Sequence, residues 1–359
     1  MLAQIGSAAG YGAMFILPAL LAFSAVQDVP LLAFAVAILL FPLARSVFGV
    51  CHPGGSPHWD AWLTFILDRL PLVYLVALSA ALGALLIRLR AAPPSPSEII
   101  AWALSLWTTL VFGTCVAHVL VHRPSRWDRL MGHILAGFTG YPVLGYEHLR
   151  HHRLSGNTSA AEWPRRNESV WRFAIRRLSR IGGETLGAGG LAWRGNAASP
   201  TVRGQRVALV AALVSVILFG VAAGSAGIAV FVLAALLVAF TMQLITYLQH
   251  WGLGDDSFPD ARDHEWGWED DCRFQAWITL GLSLHQAHHD APGQPYFRLG
   301  LSTGAPRLPA GYVILMFASF VPPLWRQVME PARTYWLNHP MTPLSSGRSV
   351  ACISIYRRI

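Results

Sequence analysis

Nine of the chain's 14 histidines fall into four groups: HVLVH (His118, His122), HLRHH (His148, His151, His152), His250 within TYLQHWGL, and HQAHH (His285, His288, His289). A neutral imidazole is a good ligand for zinc, copper, iron or nickel. On a helix, residues four apart share a face, so His118 and His122 can present two ring nitrogens to one ion. In HxxHH the i and i+4 residues share that face and the i+3 residue lies beside them, so three imidazoles can converge and serve two ions. An HxxxH pair alone is weak evidence, whereas two HxxHH boxes arise by chance with a probability on the order of 10⁻⁴ at this histidine content. Nine imidazoles are too many for one ion. His52, His58, His133, His264 and His339 are isolated and read as surface or packing residues, with His133 expected nearest the site.

Carboxylates close by can ligate, or can hold the outward nitrogen of a ligating ring. Such support, or an ordinary pairing with one of the many arginines, is expected of them, Glu147 and Asp271 foremost, with Asp128, Glu162, Glu265, Glu269, Asp270 and Asp290 as further candidates.

The elements that must position these groups lie in a membrane. Of the 359 residues, 54% are hydrophobic and only 13% charged, far from the balance of a soluble domain. Six stretches are long and apolar enough to cross a bilayer as helices: 8–26, 30–48, 70–88, 99–121, 206–223 and 226–248. Two shorter runs, 130–146 and 310–325, are interrupted and read as interfacial or buried helices. The first stretch lacks a basic leader and a small-residue cleavage site, so it reads as a span.

All 27 basic residues are arginine, and 13 of them lie in 122–205, whereas the short connections on the opposite side carry Arg88, Arg90 and little else. The positive-inside rule then places both termini and the large polar segments in the cytoplasm, which makes the formal charge of +8 a topology signal and gives no reason to propose nucleic acid. The chain divides into four spans (1–121), a first cytoplasmic segment (122–205), a transmembrane hairpin (206–248) and a second cytoplasmic segment (249–359). Every histidine group sits at or beyond the inner end of a span. The four cysteines form no CxxC pair, which excludes an iron–sulfur or rubredoxin-like module in this sequence.

Boxes of the form HxxxH, HxxHH and HxxHH behind membrane spans resemble the integral-membrane di-iron superfamily of fatty acid desaturases and alkane hydroxylases. TYLQHWGL is similar to the NYxEHYG motif of its alkane monooxygenase branch, EHLRHH to that branch's EHxxGHH, and AEWPRRNESVWRFAIRR (161–177) to the stretch that follows it. The resemblance covers roughly 100–295. It implies an all-α integral membrane protein of six transmembrane helices, with a cytoplasmic helical cap carrying a histidine-rich di-iron site in a bacterial inner membrane. It implies that His118, His122, His148, His151, His152, His250, His285, His288 and His289 ligate two iron ions that use dioxygen as co-substrate.

Departures from the family pattern are Val119 in place of Glu, one residue fewer in EHLRHH, Gln249 in place of Glu, and Leu284 and Gln286 in place of Arg and Ser. They leave the ligand set intact and bear on the substrate. The expected reaction is hydroxylation of an alkane or related alkyl chain drawn from the bilayer, with desaturation or hydroxylation of a fatty acyl group as the alternative. Two electrons must come from a separate donor, a rubredoxin or ferredoxin with its reductase. Arg165, Arg166, Arg172, Arg176 and Arg177, with Arg180 beside them, form a basic cluster suited to an acidic donor or to membrane lipid headgroups. A metal transporter fits less well, because transport sites lie near the bilayer midplane.

Overall fold

The computed structural model describes residues 2–54, 57–257 and 267–339, so His264, Glu265 and the tail after Pro343 lie outside the described residues. In chain order the helices are α1 (Gln4–Gln27), α2 (Leu32–Phe48), α3 (Ala61–Ala91), α4 (Pro96–His122), α5 (Arg126–Phe138), α6 (Leu144–Arg153) and α7 (Val170–Leu186). There follow α8 (Pro200–His250), α9 (Arg273–Ile278), α10 (His285–Asp290), α11 (Tyr312–Ser319) and α12 (Pro322–Asn338). No strand occurs among the described residues. Four helices, α1, α3, α4 and α8, are long and apolar enough to cross a membrane, and α2 is apolar but shorter.

The central helix is α4. Ser95 and Glu98 form a reciprocal capping box at its start and Pro96 occupies the first turn. Its apolar window is 67% buried, against 33–39% for the other three long helices, so neighbours surround it on most sides. Pro124 ends it: the residue before a proline is driven out of the helical region, and Arg123 is extended at φ −69° and ψ 146°. The last helical residue is therefore His122, and His118 lies one turn back on the same face.

At 51 residues α8 would run about 75 Å if straight, well beyond a hydrocarbon core. It breaks at Ala223 and Gly224, where Gly224 takes φ 58°, a conformation that favours glycine. The chain folds back there, and Phe219 meets Phe231 with ring centroids 5.2 Å apart. The two arms run antiparallel, and the second delivers His250.

Helix α5 is wedged against both neighbours of the site. An added Cβ at Gly137 would sit 2.3 Å from the Ala208 carbonyl oxygen and 2.5 Å from Ala211 Cβ, so α5 meets the first arm of α8 backbone to backbone. The two apolar runs expected to be short helices thus become α5 and α11. Gly137→Val is expected to lower stability by about 1–3 kcal/mol through overpacking, read as a lower unfolding temperature in detergent. Gly182→Ala, where an added Cβ meets open space in α7, serves as the comparison; equal unfolding temperatures for the two variants would rule out the close packing.

Candidate metal centre

The four histidine groups meet in one place. Among the described residues the imidazoles form two sets whose candidate ligand atoms lie within 4.8 Å of one another: His118, His122, His148 and His288, and His151, His250, His285 and His289. His152 leans on the first set, its Nε2 being 2.9 Å from His148 Nε2 and 3.1 Å from His288 Nε2. The helix period explains the sorting. In each HxxHH box the i and i+4 histidines go one way and the i+3 histidine goes the other. His148 and His152 thus stand with the first set while His151 crosses to the second; His285 and His289 stand with the second while His288 crosses to the first. The two boxes interlock reciprocally.

It is the Nε2 atoms that face inward. His118 and His288 approach to 3.1 Å, His151 and His289 to 3.3 Å, His285 and His250 to 2.8 Å, and His289 and His285 to 3.1 Å, while His122 closes on His148. Each such pair has room for one proton at most, so several lone pairs converge on shared space. Burial comes first, and neighbouring imidazolium charge second, in pushing the pKa of His148, His151, His285 and His288 well below 6.5 and that of His152 down to about 3. These five rings are accordingly neutral at pH 7, the form that binds a metal. Buried, neutral, convergent nitrogen donors suit a borderline divalent metal such as iron.

The backing of each box is ionic. Behind α6, Arg177 Nη2 sits 3.1 Å from both Glu147 Oε1 and Glu162 Oε2. Glu162 also pairs with Arg150 and lies 3.6 Å from His151 Nδ1, while Tyr141 donates to Glu147 and receives a bond from Gln243 Nε2 at 2.7 Å. Trp163 stacks on His250 with centroids 4.1 Å apart. Behind α10, the Glu269 carboxylate accepts from Ala287 N at 3.2 Å and Ser302 N at 3.0 Å and pairs with Arg307; Asp270 pairs with Arg45 at 2.6 Å.

Glu147 therefore stands behind its box through Arg177 and Tyr141. Asp271, expected near an imidazole, instead pairs with Arg45, because the loop before α9 turns its side chain toward α2. Asp128 pairs with Arg123, and Asp290 accepts from Gln286. Arg177, expected on a docking face, is 1% exposed: two buried carboxylates draw it inward. Arg176 is tied to Glu168 at 2.6 Å and Arg166 to Glu330 at 3.1 Å, while Arg165 and Arg172 are exposed. Arg180 is paired with Glu184. His133 packs against Gly145 and Gly204. The Trp163 stack on His250 carries no spacing signal, since the two residues are far apart in sequence, whereas Glu162, one of the candidate carboxylates, does reach an imidazole.

An apolar cavity of about 160 Å³ ends on His118, His148, His151 and His285. Its apolar walls come chiefly from α2, α4 and α8, among them Phe41, Val111, Phe112, Met242 and Ile245, with Met316 from α11. Trp107 Nε1 donates to Thr241 Oγ1 at 2.9 Å, pinning α4 to α8 where both face the cavity.

A family model for fatty acid desaturases matches residues 97–319, more than half of the chain. The chain belongs to the fatty acid desaturase family. The matched stretch contains all nine histidines of the centre. Within this desaturase-family chain, 247 residues are 29% identical to alkane 1-monooxygenase 1 of Pseudomonas aeruginosa, covering 66% of this chain and 64% of that protein. A further match, 29% over 258 residues, is to alkane 1-monooxygenase of Ectopseudomonas oleovorans, covering 68% and 63%. Alkane 1-monooxygenase of Acinetobacter baylyi is 25% identical over 234 residues, 60% and 54% of the two chains. The chain thus spans less than two thirds of these relatives' length.

Two outcomes test the geometry of this desaturase-family site. Because the rings have native pKa values below the unfolded 6.5, the unfolded chain binds more protons as pH falls from about 6.5 toward 3. The stability contribution is full above that window and is lost through it. Metal-stripped protein is expected to unfold at progressively lower temperature between about pH 7 and 5, and His152→Asn to flatten that slope; a pH-independent midpoint would contradict the buried neutral cluster. Arg177→Met leaves the buried Glu147 without its arginine and Glu162 with Arg150 alone, and is expected to cost about 3–5 kcal/mol, measured by denaturant unfolding against Arg172→Met, which should change little.

Proposed function

We propose that this protein is a membrane-bound non-haem di-iron monooxygenase that hydroxylates an unactivated C–H bond of an alkane or related alkyl chain, using dioxygen and electrons from a separate donor. The observation that carries this reading is the pair of four-imidazole sets closing one end of an apolar cavity. The alkane 1-monooxygenase relatives support it. In this reading the first set holds one iron, the second set holds the other, and His152 stands beside the first. Two bound irons supply the reduction of dioxygen and the oxidising power that an unactivated C–H bond demands.

The chain's own residues do the rest. An alkyl chain offers no group to hydrogen-bond, so the apolar walls must place it by shape, and the side chains of α2, α4 and α8 form a slot that ends at His118 and His148. The same walls keep water away from the reacting carbon. The six-span topology counts α1, α2, α3, α4 and the two arms of α8, with the cap and both termini cytoplasmic in an inner membrane. The division at 121, 205 and 248 follows from it. Donor docking, by a rubredoxin or ferredoxin, falls to the exposed Arg165 and Arg172, since Arg166, Arg176 and Arg177 are engaged by carboxylates of this chain. The family model itself keeps a second reading open, desaturation or hydroxylation of a fatty acyl chain.

Purified protein is expected to hold two irons per chain and to convert octane to an octanol when given a reduced donor. A palmitoyl substrate converted instead to an unsaturated product would favour the second reading. His250→Ala should lose about one iron and nearly all turnover; unchanged iron content would refute the ligand assignment.

A further inference from the structure

A second cavity, of about 350 Å³, reaches the same centre from another side. It ends on His118, His122 and His288, all from the first histidine set. Unlike the apolar cavity it draws most of its lining from the last turn of α4 with the segment after it and from the segment after α10, with Asp68 of α3 and Leu282 completing it. Its walls include Asp68, Arg123, Ser125 and Asp128. Arg123 fixes them together: it lies 3.1 Å from Asp68 Oδ1 and 3.3 Å from Asp128 Oδ2, and donates to the Asp68 carbonyl at 2.7 Å. Pro124, Ser125, Gly293 and Pro295, which line it, are exposed, so the cavity opens at the surface. The walls mix these charged and hydroxyl groups with apolar ones such as Val119 and Leu299 and are more polar than those of the first cavity; a space this large that opens at the surface and carries polar partners holds water.

His118 and Leu282 line both cavities and so form the partition between them. The two sides differ in what they can carry. Hydroxylation takes R–H, O2, two electrons and two protons to R–OH and H2O: one oxygen atom enters the C–H bond, and the other leaves as water with the two protons. The electrons come from the one-electron donor protein. An apolar slot occupied by an alkyl chain is a poor path for protons or water, because polar species lose hydration there without compensation.

We propose that the second cavity is the aqueous port of the centre, through which protons enter and product water leaves while the alkyl chain uses the apolar cavity; the proposal rests on the oxygenase reading above. Leu282 keeps the two traffics apart. The port reaches the first histidine set directly and the second only through it, so proton entry is one-sided.

Val119, which lines the port beside His118, and Gly293 at its mouth provide the test. Gly293 is exposed and a Cβ added there meets nothing within 4 Å, so a side chain can start from this position without a clash at its first atom. Full-length Val119→Cys in detergent is treated with the charged thiol reagent methanethiosulfonate ethylsulfonate, and labelled sites are mapped by mass spectrometry. Cys115, which lines the apolar cavity, is the internal control. Because an ion loses hydration on entering apolar space, Cys at 119 is expected to react at least about tenfold faster than Cys115, and Gly293→Trp to slow it by about tenfold. In turnover with octane and reduced donor, Gly293→Trp should raise peroxide released per electron consumed and leave the KM for octane unchanged. Labelling at 119 no faster than at Cys115 would overturn the port. So would a raised octane KM with peroxide unchanged, which would make the cavity a substrate path. The expected labelling in protein that oxidises no alkyl chain would uphold the water-filled cavity and sink the oxygenase reading alone.

Discussion

Crowding of imidazole nitrogens is the constraint on which the rest of the structure depends. Nε2 atoms from α4, α6, α8 and α10 approach one another at about hydrogen-bond distance, yet burial keeps His148, His151, His152, His285 and His288 neutral at pH 7. Each neutral ring has a single proton to share among several such contacts, so hydrogen bonding within the cluster is incomplete without a cation. The scaffold must hold the cluster. That requirement accounts for a central helix buried on most sides, a wedge helix packed backbone to backbone, and a hairpin that returns its second arm to the same depth.

Two ionic clamps complete the scaffold, one behind each HxxHH box. Arg150 and Arg177 with Glu147 and Glu162 hold α6; Arg307 with Glu269, and Arg45 with Asp270, stand behind α10. Buried ion pairs of this kind add little net stability over apolar packing, because desolvation offsets their attraction. Their directional bonds are what packing lacks. The Glu269 carboxylate fixes the backbone of Ala287, between His285 and His288, and Glu162 faces the outer nitrogen of His151. Each clamp therefore sets the rotation of a short helix whose three histidines must divide between two sets, a task that a smooth apolar contact does poorly.

Much of this was legible in the sequence, and the reason differs from part to part. The histidine boxes stand out because a helix converts spacing directly into direction. Apolar runs mark the long helices because the bilayer demands a fixed length. The interlocking of the two boxes was only partly visible, since the i+3 residue can turn toward either set and the partner helix decides. Arg177 illustrates the harder case. A run of arginines reads as a solvated face, and only the fold brings Glu147 and Glu162, from two separate segments, to bury one of them. Asp271 was misplaced for the same reason: proximity in sequence to HQAHH says nothing about Arg45, which arrives from α2. Trp163 against His250 joins two segments that no periodicity relates.

The partition between the two cavities shows how closely the centre and its surroundings are coupled. Leu282 contributes to both walls, and its carbonyl accepts from Gln249 Nε2 at 3.1 Å. The same Gln249 amide donates to Tyr312 Oη at 2.9 Å, and the Gln249 carbonyl accepts from Trp268 N at 2.8 Å. Gln249 immediately precedes His250 on the second arm of α8. A shift of that arm therefore moves a histidine of the second set and the wall of both cavities together. Site geometry and compartment geometry are not separately adjustable here, so a substitution at Gln249 must act on both, whatever chemistry the centre performs.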